Sequence, residues 1–155
     1  MLWIYNRIDT KRFSSRTFEK DMKQVVNDTA QARRFLDENR RSQSEIGSWE
    51  IDLLFCDRML DIYGLKVDAE GMRKTMLILK ERIQDFLSIR LENLKTQLKE
   101  NEVLLKRLVD DELLLKDRQM PFRDADDKSD MDNTRIAAHA LQNQLYGFIE
   151  ELKSI

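Results

Sequence analysis

The sequence predicts an all-α protein, an elongated antiparallel helical bundle with coiled-coil character. Three observations predict it. First, residues 70–116 contain no proline, and Gly71 is their single glycine. Apolar residues recur through them at steps of three and four: Met72, Met76, Leu79, Ile83, Leu87, Leu91, Leu94, Leu98, then Leu105 and Leu108. As one helix that stretch would be about 70 Å long, a rod that other long helices must cover. Second, the 155 residues include one proline and four glycines, too few turn formers for an all-β or enzyme-like α/β chain. Third, 36% of residues are charged while the net charge is −2, so both signs crowd a surface that is nearly balanced.

Residues 1–13 read as an apolar-rich arm carrying Leu2, Trp3, Ile4 and Tyr5. The run is far shorter than the ~20 residues of a membrane span and too short for a signal-peptide core. It either packs on its own bundle or docks a partner, in which case Trp3 is the natural anchor. Residues 14–155 form one helical-bundle domain. Ser14 or Ser15 can cap the first helix, whose stripe runs Phe18, Met22, Val25, Thr29, Ala32, Leu36. Residues 37–45 hold no apolar side chain, and the stripe resumes at Ile46, Trp49, Leu53, Cys56, Leu60 and Tyr63. Its phase survives the gap, and Gly47 costs a helix interior only about 1 kcal/mol. A continuous first helix is therefore expected, making three long helices in all; a break near Gly47 would make four. Gly64 reads as the C-cap and Asp68 as the N-cap of the next helix, and so short a connection sets the two helices antiparallel.

Within the long helix, the step from Ile83 to Leu87 follows another step of four, a stutter that relaxes a supercoil. Asn101 falls on the stripe among leucines, where it either fixes register or partner number, or marks a seam open to water. Residues 117–130, with Pro121 and an acidic cluster, read as a mobile linker. A last helix starting near 129–132 carries Ala138, Leu141, Leu145, Phe148, Leu152 and Ile155. Running back antiparallel to the long helix, it is expected over residues 94–115, where Val103, Leu104, Leu105, Leu108 and Val109 widen the apolar face.

Chemistry-bearing motifs are missing from the pattern. One cysteine and one histidine make neither a disulfide nor a zinc cluster. Cys56 lies on the apolar stripe and reads as a buried structural thiol, and His139 as a helix-flank residue. The acidic run from Asp124 to Asp132 fails the EF-hand template, which needs glycine at Ser129 and glutamate at Arg135. The glycines are isolated, so no phosphate loop exists. These readings predict no enzyme, no cofactor and a reducing, intracellular, cytoplasmic setting without a membrane span. Arg33, Arg34, Arg40 and Arg41 are the one basic concentration, and the acidic excess of residues 121–155 is its expected internal complement. A nucleic-acid accessory role through that surface is the alternative to the main expectation. That main expectation is a non-enzymatic interaction, scaffold or adaptor protein binding helices of other proteins or of itself, as a homo- or hetero-oligomer. Leu87, Ile89 and Leu91 are expected to face the polar 37–45 stretch and so stay poorly covered. The expected partner-binding residues are thus Leu2, Trp3, Ile4, Tyr5, Leu87, Leu91 and Asn101.

Overall fold

A computed structural model describes residues 15–110 and 125–155, with side chains for 29–110 and 129–155. The N-terminal arm, including Leu2, Trp3, Ile4 and Tyr5, and residues 117–124 of the expected linker lie outside them. Every described segment is helical except the connection at 65–69 and the last two residues. The elements are α1 (Ser15–Gly64), α2 (Glu70–Asp85), a π-helical segment (Phe86–Leu91), α3 (Glu92–Asp110) and α4 (Ala125–Lys153). At 1.5 Å per residue, the 50 residues of α1 extend about 75 Å.

α1 passes through Gly47 unbroken. Nothing lies within 4 Å of where a Cβ on Gly47 would sit, so this glycine answers no packing demand. The apolar-free stretch does not break the stripe either. Leu36, Asn39, Gln43 and Ile46 continue it at steps of three, four and three, with polar side chains occupying the two middle positions.

α2, the π-helical segment and α3 form one continuous rod, helical in φ and ψ at both junctions. The core stripe explains the π-helical segment. Leu79, Ile83, Phe86, Leu91 and Leu94 are buried, so the step from Phe86 to Leu91 is five residues. A regular α-helix would carry Leu91 off the buried face; a π-helical turn, with more residues per turn, returns it. Ser88 Oγ donates to the carbonyl of Gln84 at 2.7 Å within this irregular stretch. The stutter expected at Ile83–Leu87 falls beside this distortion, but the core residue is Phe86, with Leu87 only half-buried.

Three helices pack against one another, and their directions follow from side-chain pairs. Lys80 meets Asp57 and Asp61, Lys95 meets Glu50, and Glu102 meets Gln43 and Arg40, so α1 and the α2–α3 rod run opposite ways. Glu45 meets Arg135 and Asp52 meets Gln142, so α4 runs parallel to α1. Arg82 meets Gln144 and Arg90 meets Thr134, so α4 opposes the rod. The main core joins Ile46, Trp49, Leu53, Cys56 and Leu60 of α1 to Leu79, Ile83, Phe86, Leu91 and Leu94 of the rod and Ala138, Leu141, Leu145 and Phe148 of α4. A separate small cluster pairs Ala32 with Leu108.

Four expectations are corrected. Gln144 of α4 meets Arg82 and Thr134 meets Arg90, so α4 lies chiefly along α2 and the π-helical segment, farther toward the start of the rod than expected, and Val103 and Leu104 remain exposed. α4 begins at Ala125, earlier than expected. The N-cap of α2 is Ala69, not Asp68, and no side chain caps it; Asp68 instead lies 3.6 Å from Arg73. Gly64 has no positive φ. The turn after α1 closes through Lys66 N–H to the Tyr63 carbonyl and Val67 N–H to the Gly64 carbonyl. A Cβ at Gly64 would meet Sδ of Met76, so a larger residue there would make that flexible side chain shift.

Candidate functional site

Several polar pairings hold the helices in register. In the α1–α3 seam, Gln43 Nε2 donates to Asn39 Oδ1 at 2.7 Å and lies 2.8 Å from Glu102 Oε2. Arg40 and Lys106 approach Glu102 Oε1 at 3.3 and 3.2 Å. Asn39 is buried, and the hydrogen bond from Gln43 with help from Lys106 and Arg40 holds the Glu102 carboxyl below its ordinary pKa. Between α1 and α4, Arg135 grips Glu45 with both arms, Nε to Oε1 at 2.6 Å and its second terminal nitrogen to Oε2 at 2.8 Å, while its remaining nitrogen reaches Asp132 at 2.7 Å. This forked geometry lowers the Glu45 pKa and raises that of Arg135. On the other side of α1, the Lys80 ammonium sits between Asp57 and Asp61. These carboxylates raise its pKa against the opposing pull of burial. Asp57 Oδ1 is buried and paired with Lys80 by charge, without a well-directed hydrogen bond.

Two apolar surfaces stand out among the described residues once the core is built. The first is an open, mainly apolar groove of about 480 Å³ where the π-helical segment and α4 part, lined by Phe86, Ile89, Ala137 and Leu141 with Arg82 and Arg90 on its border. The second is a stripe along α1 on the side away from its core residues. Ile51, Phe55 and Ile62 are 69%, 54% and 51% exposed there, and Leu54 and Leu65 beside them are also exposed. A helix burying Leu53, Cys56 and Leu60 on one side thus presents isoleucine and phenylalanine on the other. Among the described residues Arg58, which lies on this outer stripe, has no carboxylate within ion-pair distance.

The residues expected to bind partners are placed differently. Leu91 is 1% exposed inside the main core, and Leu87 packs half-buried against it. They do not face residues 37–45, because the pairing of Lys95 with Glu50 sets them opposite the apolar part of α1. Only Ile89 of that trio is exposed, on the groove. Asn101 is half-buried and makes no side-chain hydrogen bond among the described residues; the buried amide of the seam is Asn39. Arg33, Arg34 and Arg41 are exposed, but Arg40 is tied to Glu102 of α3, and the pair joining α1 to α4 has the opposite polarity from the expected complement. Cys56 is fully buried, and burial followed by the charge of Asp52 pushes its thiol pKa up, away from the reactive thiolate form. His139 is exposed. Among the described residues no group of three or more histidine, cysteine or carboxylate side chains is arranged to hold a metal, and no helix is long and apolar enough to cross a membrane.

The outer stripe was visible in the sequence as Ile51, Phe55 and Ile62 at helical spacing, and the stronger stripe beside it concealed it. The Asn39–Gln43 pair carried a weaker signal: amides at stripe positions inside a stretch that looked merely solvated. No protein-family model, curated protein or solved structure matches this chain.

Proposed function

We propose that the protein is a non-enzymatic interaction protein, a scaffold or adaptor that binds helices of partner proteins or of its own copies through coiled-coil-like surfaces. The carrying observation is the outer stripe of α1. Exposed apolar patches rimmed by polar residues mark association surfaces, whereas isolated exposed leucines are ordinary. Here Ile51, Phe55 and Ile62 repeat along one helix face at steps of four and seven, the pattern by which one helix packs on another. The long α1 helix and its polar register devices suit a rigid support for such a face. An intracellular, reducing setting belongs to the same reading, in keeping with the single buried thiol.

The double substitution Ile51→Asp with Ile62→Asp tests it. Both sites are exposed, so stability should change by less than about 0.5 kcal/mol per site. Association with copies or partners, read by solution mass and by comparative affinity capture, should fall sharply. A variant that keeps every association of the parent chain defeats the reading.

A further inference from the structure

Resting on that reading of the α1 stripe, we infer that its occupant is the same stripe of a second copy, docked antiparallel about a two-fold axis. Four outward positions carry the argument: Ile51, Phe55, Arg58 and Ile62. Their steps are four, three and four, a series identical in both directions. An antiparallel helix pair needs that property for a patch to meet itself, and an isologous interface needs the patch to complement itself chemically.

The residue types satisfy the second condition. Centring the axis between Cys56 and Asp57 sets Ile51 of each copy against Ile62 of the other. The same register sets Phe55 of each copy against Arg58 of the other. Apolar side chains meet at both ends, and in the middle two guanidinium groups lie over two aromatic rings, an attractive arrangement for a cation. Arg58 is free to make it, having no ion-pair partner among the described residues. Lys80 of the same chain sits on both neighbouring acids, Asp57 and Asp61, and together with Arg58 balances their two charges. Exposed Leu54 and Leu65 extend the apolar margin. A parallel pairing would instead set Arg58 against Arg58, bringing like charges together at the centre.

The experiment uses the full chain. Sedimentation across a concentration series should give the mass of a dimer, and Arg58→Glu should weaken self-association at least tenfold because two carboxylates would then face two ring faces. Oxidation of the double variant Ile51→Cys/Ile62→Cys should yield a covalent dimer, while each single variant should yield little. Native Cys56 is fully buried and stays out of this chemistry. The substituted positions are exposed, and circular dichroism of the double variant verifies that its helices persist.

A single Ile51→Cys variant that cross-links as readily as the double variant would overturn the antiparallel register. A chain that stays monomeric throughout the series would overturn self-pairing altogether. If that monomer still captures a protein partner and loses it on Ile51→Asp/Ile62→Asp substitution, the inference fails while the proposed function stands. Loss of neither self-association nor capture in that variant removes both.

Discussion

The two halves of α1 are stabilised by different physics. From Ile46 to Leu60 it shares an apolar core with both the α2–α3 rod and α4, and five of its side chains there are almost fully buried. From Thr29 to Gln43 it lies along α3, where Ala32, Leu36, Leu105 and Leu108 are buried outside the main core, while Asn39, Gln43, Arg40 and Glu102 form a polar group in the same seam. Burial is non-directional, so the first region supplies cohesion without choosing one register strongly. Hydrogen bonds and charge pairs are directional, and displacing α1 along α3 by one turn would part Glu102 from Gln43 and Arg40. The contrast assigns stability to one half and alignment to the other.

The largest expected effect separates the halves directly. Leu53→Ala, at a fully buried site, should cost about 2–5 kcal/mol, since cavity formation adds to lost transfer energy. Leu36→Ala should cost less, because Leu36 belongs to neither buried cluster and is the less completely buried of the two. Denaturant titration of both variants measures the gap. Equal losses would show that the seam end is as cohesive as the core.

Next in size is the double substitution Asn39→Leu with Gln43→Leu. Replacing a buried polar network by leucine commonly stabilises by about 1 kcal/mol or more. The chain should therefore melt higher while its α1–α3 alignment becomes less unique, visible as exchange broadening of amide resonances between 29 and 43. A lower melting temperature would mean that the amides supply cohesion too, and the division of labour would be lost.

Much of this architecture could be read in the residues. The unbroken α1, the connection after Gly64, the opposed direction of the rod and the stripe from Ile46 to Leu60 all follow from periodicity and from one short link. Placement of α4 could not be read, because periodicity says which face a helix buries and not where along a partner it docks. That choice is made by Arg135 and Glu45, ninety positions apart, and by Gln142 with Asp52. Leu91 was misjudged for the same reason: a small error in the register of the rod moved it from the apolar part of α1 to the polar stretch. Phe86 was missed because only steps of three and four were sought, and the core takes a step of five.

Acidification should sharpen the contrast with a smaller effect. Glu45 and Glu102 have folded pKa values below their ordinary ones, chiefly through the hydrogen bonds from Arg135 and Gln43 respectively. Such groups contribute stability above the ordinary carboxylate pKa of about 4, and that contribution is lost as pH falls through the lowered values. Hydrogen exchange should accordingly show the 29–43 segment and the start of α4 losing protection before residues 49–60 do. Simultaneous loss in all three would contradict separate stabilisation of the two regions.

The smallest effect is expected from a change that looks severe, deletion of Ser88. Removing one residue from the interior of a helix normally rotates everything beyond it by about 100°, which would turn Leu91, Leu94 and Leu105 away from α1. At the π-helical segment the outcome should differ. Phe86 and Leu91 are five residues apart, so losing one residue between them leaves a step of four that an ordinary α-helix satisfies with both side chains still inward. Ser88 is exposed, and the hydrogen bond lost with it is to the nearby carbonyl of Gln84, which regular helix bonding can satisfy. The deletion should shift stability by no more than about 1 kcal/mol, within the range of ordinary point changes. Deletion of exposed Lys99, in the regular helix α3, should instead disrupt the seam by rotating Leu105 and Leu108 out of it. Denaturant titration of the two deletions is the comparison. Equal damage from both would mean that the π-helical segment is set by something other than the five-residue step of the core, such as the shape of the groove it shares with α4.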